Sequence, residues 1–172
     1  MKIALVGASG VGKTTLLEHF TNLRKVTGIT RLLKSQYNIP LNEQASDEGQ
    51  LIIFNEYWKQ LIYEDDFVTD RSILDVMIYS CASMDVSTFV IDYMDEACRR
   101  YLKLYDYIFY IPKEFPTNAD GIRSEDEKYH MEIDKMFRDI LLLNRVYQCN
   151  MYVITGTVKE REAQIDAVMK LK

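Results

Sequence analysis

The chain has 172 residues, 48% of them apolar and 27% charged, which suits one globular unit with a full core and excludes a disordered or low-complexity chain. A formal net charge of −5 offers no global attraction for nucleic acid or an anionic membrane surface, although a local basic groove is compatible with it. The three cysteines (Cys81, Cys98, Cys149) are odd in number and have no C-x-x-C spacing. With only two histidines, they argue for buried thiols in a reducing compartment and against a zinc site.

The first apolar run, Ile3-Ala4-Leu5-Val6, reads as a buried strand over about residues 2–6. It is too short for a secretory leader or a membrane span, so a cytoplasmic setting without a membrane partner is expected. Gly7-Ala8-Ser9-Gly10-Val11-Gly12-Lys13-Thr14 follows at once and matches G-x-x-x-x-G-K-[ST]. Behind it, Thr15, Leu16, Leu17, Phe20 and Leu23 set a helical pattern over about 13–24. Strand, loop and helix together are what a phosphate-binding loop requires. Glycines let the backbone wrap closely, so that N–H groups from Gly7 through Thr15 face phosphate oxygens, and the helix N-terminus adds positive character. In such a loop Lys13 reaches the β- and γ-phosphates of a nucleoside triphosphate, and the Thr14 hydroxyl is a ligand for Mg²⁺.

Further along, Val26–Arg31 reads as a short second strand or its loop, with Arg31 at its end where an acceptor would lie. Residues 32–45, with Pro40, read as irregular. A helix over about 46–63 places Gln50, Phe54 and Trp58 at i, i+4, i+8 on one face. That face admits two readings: an amide and two aromatics that pair with and stack on a base, or core residues beside Leu51 and Leu61. After a turn at Asp65-Asp66, Phe67-Val68-Thr69-Asp70 is a third strand ending in a charge. Helices are expected over 73–83 and 87–104, a fourth strand over 107–111, and a polar loop over about 114–124. A helix over 125–145, a fifth strand over 151–154 and a last helix over 158–171 complete the chain. Alternating apolar strands and helices predict an α/β fold with a parallel sheet covered by helices on both faces. With the phosphate loop this resembles a three-layer P-loop NTPase architecture, which implies a five-stranded parallel sheet and a small lid. The whole of 1–172 is expected to form one domain, with ligands outside the carboxyl ends of the strands.

Three further runs fall at such ends. Asp70-Arg71-Ser72 follows the third strand; an acid there can hold Mg²⁺ or take the proton of an attacking hydroxyl, and the arginine can clamp a phosphoryl group. Asp75 and Tyr79, one turn on, face the same pocket in this reading. Ala119-Asp120-Gly121-Ile122-Arg123-Ser124 follows the fourth strand, and Arg123 is the candidate arginine of a lid over about 114–130, with Lys128 or Arg138 in reserve. Gly156-Thr157-Val158-Lys159-Glu160-Arg161 follows the fifth.

These runs resemble the P-loop kinases of nucleosides and nucleotides. Asp70-Arg71-Ser72 is a hybrid of the Glu-Arg-Ser of deoxynucleoside kinases and the Asp-Arg-aromatic of thymidylate kinases. The stretch Pro116–Leu142 resembles the lid of ribosylnicotinamide kinases, and Gly156 with Arg161 is similar to the loop that packs against adenine in that superfamily. The resemblance implies ATP with Mg²⁺ and transfer of the γ-phosphoryl group, with Lys13, Asp70, Arg71 and Arg123 catalytic. It implies a small nucleoside or nucleotide acceptor near Arg31, Gln50 and Phe54, and is compatible with a homodimer. Two other readings stay open. One is a kinase acting on a hydroxyl of nucleic acid, which needs a basic channel from Arg31, Lys34, Arg99, Arg100 and Arg123. The other is a nucleotide hydrolase or switch, for which the chain lacks a guanine-selecting N-K-x-D run.

Overall fold

The computed structural model describes residues 1–114 and 127–170. Five parallel strands form one sheet in the order β2-β3-β1-β4-β5: β1 Lys2–Val6, β2 Arg24–Val26, β3 Phe67–Thr69, β4 Tyr107–Tyr110 and β5 Met151–Val153. Nearly every side chain of β1, β3 and β4 is buried, so these strands carry continuous apolar runs rather than alternation, as expected for a parallel sheet covered on both faces. β2 exposes Arg24 and Lys25, which suits an edge.

Register places the functional ends together. Ala4 of β1 pairs with Thr69 of β3, and Val26 of β2 pairs with the same Thr69. The residues that follow each strand therefore emerge at one rim. The order reverses at β1, whose neighbours are β3 and β4, and this is the position where such sheets open a crevice.

Two elements differ from the expectation. The helix after the phosphate loop is short: α1 (Lys13–Leu16) tightens into a 3₁₀ turn over Leu17–His19, and Phe20 leaves helical geometry. The chain thereby reaches β2 at Arg24 rather than at Val26. Residues 29–37, expected to be part strand end and part irregular, form helix α2 (Ile29–Tyr37). Its start is Gly28 at φ 78°, its end is Asn38 at φ 53°, and it seats Thr30 and Leu33 inward. Ile29, Leu32 and Leu33 stand at i, i+3 and i+4, so the helical period is present in the sequence, although Leu32 faces solvent.

The helices α3 Asp47–Tyr63, α4 Ile73–Cys81, α5 Thr88–Tyr101, α6 Glu127–Leu142 and α8 Val158–Lys170 lie close to where periodicity puts them, whereas the single helix expected over 125–145 ends at Leu142 and is followed by a separate short helix, α7 Asn144–Tyr147. Ser46, Ser72 and Ser87 cap α3, α4 and α5 by accepting backbone N–H bonds. No helix among the described residues is long and apolar enough to cross a membrane.

Candidate active site

The loop between β1 and α1 is built by glycines in conformations other residues resist. Gly7 sits at φ 141°, and a Cβ there would collide with the backbone oxygen of Ile111 at the end of β4. Gly12 sits at φ 95°, as the N-cap of α1. Lys13 folds back across the loop, its Nζ donating to the carbonyls of Gly7 at 2.6 Å and Ala8 at 2.7 Å. The ammonium is thus held under the loop, where an incoming phosphate chain would lie.

At the mouth of the loop, Thr14 Oγ1 donates to Asp70 Oδ2 at 2.6 Å, and Thr27 Oγ1 donates to the same oxygen at 2.7 Å. Thr27 directly follows β2 and Asp70 directly follows β3, so two strand ends and the first turn of α1 meet on one carboxylate oxygen. Asp70 Oδ1 makes no hydrogen bond among the described residues. Beside it, Arg71 Nη1 donates to Thr30 Oγ1 at 3.3 Å, and its guanidinium lies 5.1 Å from the centre of the Tyr79 ring.

Tyr79 and Asp75, both on α4, reach the loop from below. The Tyr79 hydroxyl accepts from Ser9 N at 2.9 Å and shares a 3.0 Å bond with Ser9 Oγ. Asp75 Oδ1 accepts from Gly7 N at 3.3 Å, while Oδ2 accepts from the backbone and hydroxyl of Ser72, completing a capping box. Burial pushes the Asp75 carboxyl above its usual range, against the pull of Lys13 and Arg71. Burial also raises the Tyr79 and Tyr57 phenols, so both stay protonated.

A cavity of about 400 Å³ opens over these groups, within the size range of small-ligand sites. Ser9, Gly10, Gly12, Lys13, Thr14 and Thr15 line its phosphate end. Thr27, Thr30, Arg31, Gln50, Tyr57, Asp70, Arg71 and Tyr79 line the rest. Arg31 reaches it from the first turn of α2, not from a strand end. Gln50 is 4% exposed and is held by Ser80, whose Oγ donates to Gln50 Oε1 at 3.2 Å.

Phe54 corrects the expected substrate face. It is completely buried, packed at 6.3 Å from Trp58 and 6.0 Å from Tyr93, and does not line the cavity. A step of four residues turns its side chain about 40° from that of Gln50, enough to move it off the cavity and into the core. Arg99 and Arg100, expected as part of a basic channel, are tied one turn back to Asp95 at 2.7 Å and Glu96 at 2.6 Å. Arg138 pairs with Asp134 at 2.9 Å. Arg123 and most of the expected lid lie outside the described residues.

At the opposite shoulder of the loop, Arg161 on α8 is 3% exposed. Its Nη1 donates to the Val11 carbonyl at 2.6 Å and its Nη2 to Glu114 Oε2 at 2.7 Å. The same Glu114 oxygen accepts from Gly156 N at 2.9 Å.

Of the cavity-lining residues, Thr27, Thr30 and Tyr57 were not expected from the sequence, and neither were Gly28, Leu41, Asn42, Ile53 and Val76. Thr27 had a signal, its place directly after a short strand. Thr30 and Tyr57 had none, because their relation to Arg71 exists only once α2 and α3 pack together.

A family model described as an AAA domain matches residues 2–161. The chain belongs to this AAA-domain family. Comparison with curated proteins gives no match. Among solved structures, a deoxyadenosine kinase from M. mycoides superposes with a TM-score of 0.71 at 19% identity over 100% of both chains. A thymidylate kinase from Candida albicans gives 0.68 at 17% identity, covering 99% of this chain and 91% of that one. A NadR protein in complex with NR gives 0.69 at 16% identity, covering 98% of this chain and 50% of that one. At these identities the likeness is one of fold, and the fold is that of the P-loop kinases.

Proposed function

We propose that this AAA-domain protein is an ATP-dependent phosphotransferase that moves the γ-phosphoryl group to a hydroxyl or phosphate oxygen of a nucleoside or deoxynucleoside monophosphate. The observation that carries this reading is the meeting of the phosphate loop with an acid–arginine pair on one cavity, through the 2.6 Å bond from Thr14 to Asp70. The products named for one structural neighbour, dCMP and a flexible dCDP, support a nucleoside acceptor, since a nucleoside monophosphate is what transfer to a nucleoside hydroxyl yields.

In this reading the loop amides and Lys13 hold the β- and γ-phosphates. Lys13 exchanges its bonds to Gly7 and Ala8 for phosphate oxygens, which moves a buried charge onto an opposite charge. Thr14 and Asp70 would hold Mg²⁺: a hydroxyl and a carboxylate oxygen side by side suit a hard cation that keeps most of its waters. The ion neutralises charge on the phosphate oxygens when bound. Where the acceptor is a hydroxyl, Asp70 Oδ1 takes its proton as the acceptor oxygen bonds to phosphorus and the bond to the ADP leaving oxygen breaks. Thr27 keeps the carboxylate turned by holding Oδ2. Arg71 clamps the phosphoryl group, and Arg123 is assigned the lid charge. Arg31, Gln50 and Tyr57 receive the acceptor. The pairing of Arg99 and Arg100 with acids on their own helix weighs against nucleic acid as the acceptor. The free thiols of Cys81, Cys98 and Cys149 suit a reducing cytoplasm.

The reading is tested by ADP production with Mg²⁺ and ATP in the presence of individual nucleosides, nucleoside monophosphates, nicotinamide riboside and DNA. One small acceptor that raises ADP release far above background supports it. Release that is the same with and without every acceptor points to a hydrolase instead.

A further inference from the structure

Arg161 is held by its two terminal nitrogens, one on Val11 O at 2.6 Å and one on Glu114 at 2.7 Å, and its side chain is almost wholly removed from solvent. The bond to Val11 has a geometric consequence. The Val11 carbonyl and the Gly12 N–H belong to one planar trans peptide and point in opposite directions. Fixing the carbonyl outward, towards α8, fixes the Gly12 N–H the other way, towards the cavity that Gly12 lines. The Gly12 N–H has no acceptor among the described residues. Gly12, which has no Cβ and sits at φ 95°, gives the peptide itself little steric resistance to rotation, although Val11 packs in the core and the Gly12 carbonyl accepts from Leu16 N at 3.1 Å. A rotated Val11–Gly12 peptide would aim a carbonyl dipole, rather than an N–H, at bound phosphate. Glu114 in turn anchors the arginine and ties it to the backbone of Gly156, so the loops after β4 and β5 brace the phosphate loop from outside.

We infer that Arg161, anchored by Glu114, is a positioning residue that locks the Val11–Gly12 peptide in its phosphate-binding orientation, acting on the triphosphate end of the ligand and not on the base. This rests on the nucleotide reading above.

The test compares two ligands by calorimetry: ATP, and inorganic tripolyphosphate, which has no base. In Arg161→Ala, loss of one charge-assisted bond raises the dissociation constants of both ligands by a common factor of about ten or more. Arg161→Lys, which can reach Val11 or Glu114 but not bridge them, recovers part of that loss. Glu114→Gln at the partly exposed anchor raises both constants by a smaller common factor, and it carries the test if Arg161→Ala fails to fold. An increase for ATP alone would make Arg161 a base-stacking residue and overturn the proposal, as would unchanged affinity for both ligands. Failure of the unsubstituted protein to bind either ligand would instead overturn the nucleotide reading, and the proposal with it.

Discussion

The Thr14 hydroxyl donates to the Asp70 carboxylate across 2.6 Å, joining the last residue of the phosphate loop to the first residue beyond β3. The pairing of Ala4 with Thr69 brings these positions together although 56 residues separate them in sequence. Asp70→Asn keeps the size of the side chain and an acceptor oxygen but removes the charge and the basicity. Turnover is expected to fall by about 10²–10³ while the ATP dissociation constant changes far less. Steady-state rates with equilibrium binding check this. Unchanged turnover would remove Asp70 from the mechanism.

Lys13→Ala removes the ammonium that bonds to the Gly7 and Ala8 carbonyls. Both carbonyls belong to buried residues and lose this donor, so a stability cost of about 1–3 kcal/mol is expected and folding of the variant is checked by its Tm. Acceptor-dependent turnover is expected to drop by at least about 10², in line with loss of a transition-state charge contact. Near-native turnover in a folded Lys13→Ala variant would separate the loop from the chemistry.

Gln50 and Phe54 lie one helical turn apart on α3 and should behave oppositely. Gln50→Ala takes an amide from the cavity wall and is expected to raise the acceptor KM several-fold or more, with ATP binding unchanged. Phe54→Ala empties a fully buried ring site and should cost about 3–5 kcal/mol in unfolding free energy, with little effect on the acceptor KM of the folded fraction. Chemical denaturation and kinetics on both variants distinguish the two roles. A large acceptor KM effect from Phe54→Ala at native stability would return it to the substrate face.

Asp75 should leave a mark on the pH dependence of stability. Burial raises its folded-state pKa above the ordinary 3.8, so the folded state binds the proton more tightly than the unfolded chain does. The stability this contributes is complete below pH 3.8 and is lost as pH rises through the folded value. Asp75→Asn has no such titration. The Tm of the variant, whatever its offset from lost bonds to Ser72, should therefore gain on that of the unsubstituted protein as pH is raised from about 4. A difference in Tm that is flat with pH, or moves the other way, would contradict the assignment.

The phosphate loop was legible because its information is local: eight successive residues between an apolar run and a helical one. Asp70 and Arg71 were legible because they sit at the end of a short apolar strand. Helix α2 carries helical spacing at Ile29, Leu32 and Leu33, but the β-branched run from Val26 to Thr30 competes with it as a strand, and its boundaries are set by Gly28 and Asn38 in left-handed conformations. Phe54 could not be assigned to core or cavity by spacing alone, since Gln50 and Phe54 share a face and the packing of Tyr93 against it decides the matter. Arg161 was visible as a charge beside a glycine, but its bond to Val11 spans 150 residues and follows only from the position of α8 beside the loop.

The proposed reaction moves phosphate from ATP to a small nucleoside or nucleotide. The most direct measurement is ADP release with Mg²⁺ across a panel of nucleosides, nucleoside monophosphates, nicotinamide riboside and DNA oligonucleotides, run beside Lys13→Ala. Strong stimulation by one small acceptor, lost in the variant, is expected. Stimulation by DNA alone, or ADP release indifferent to every acceptor, would contradict it.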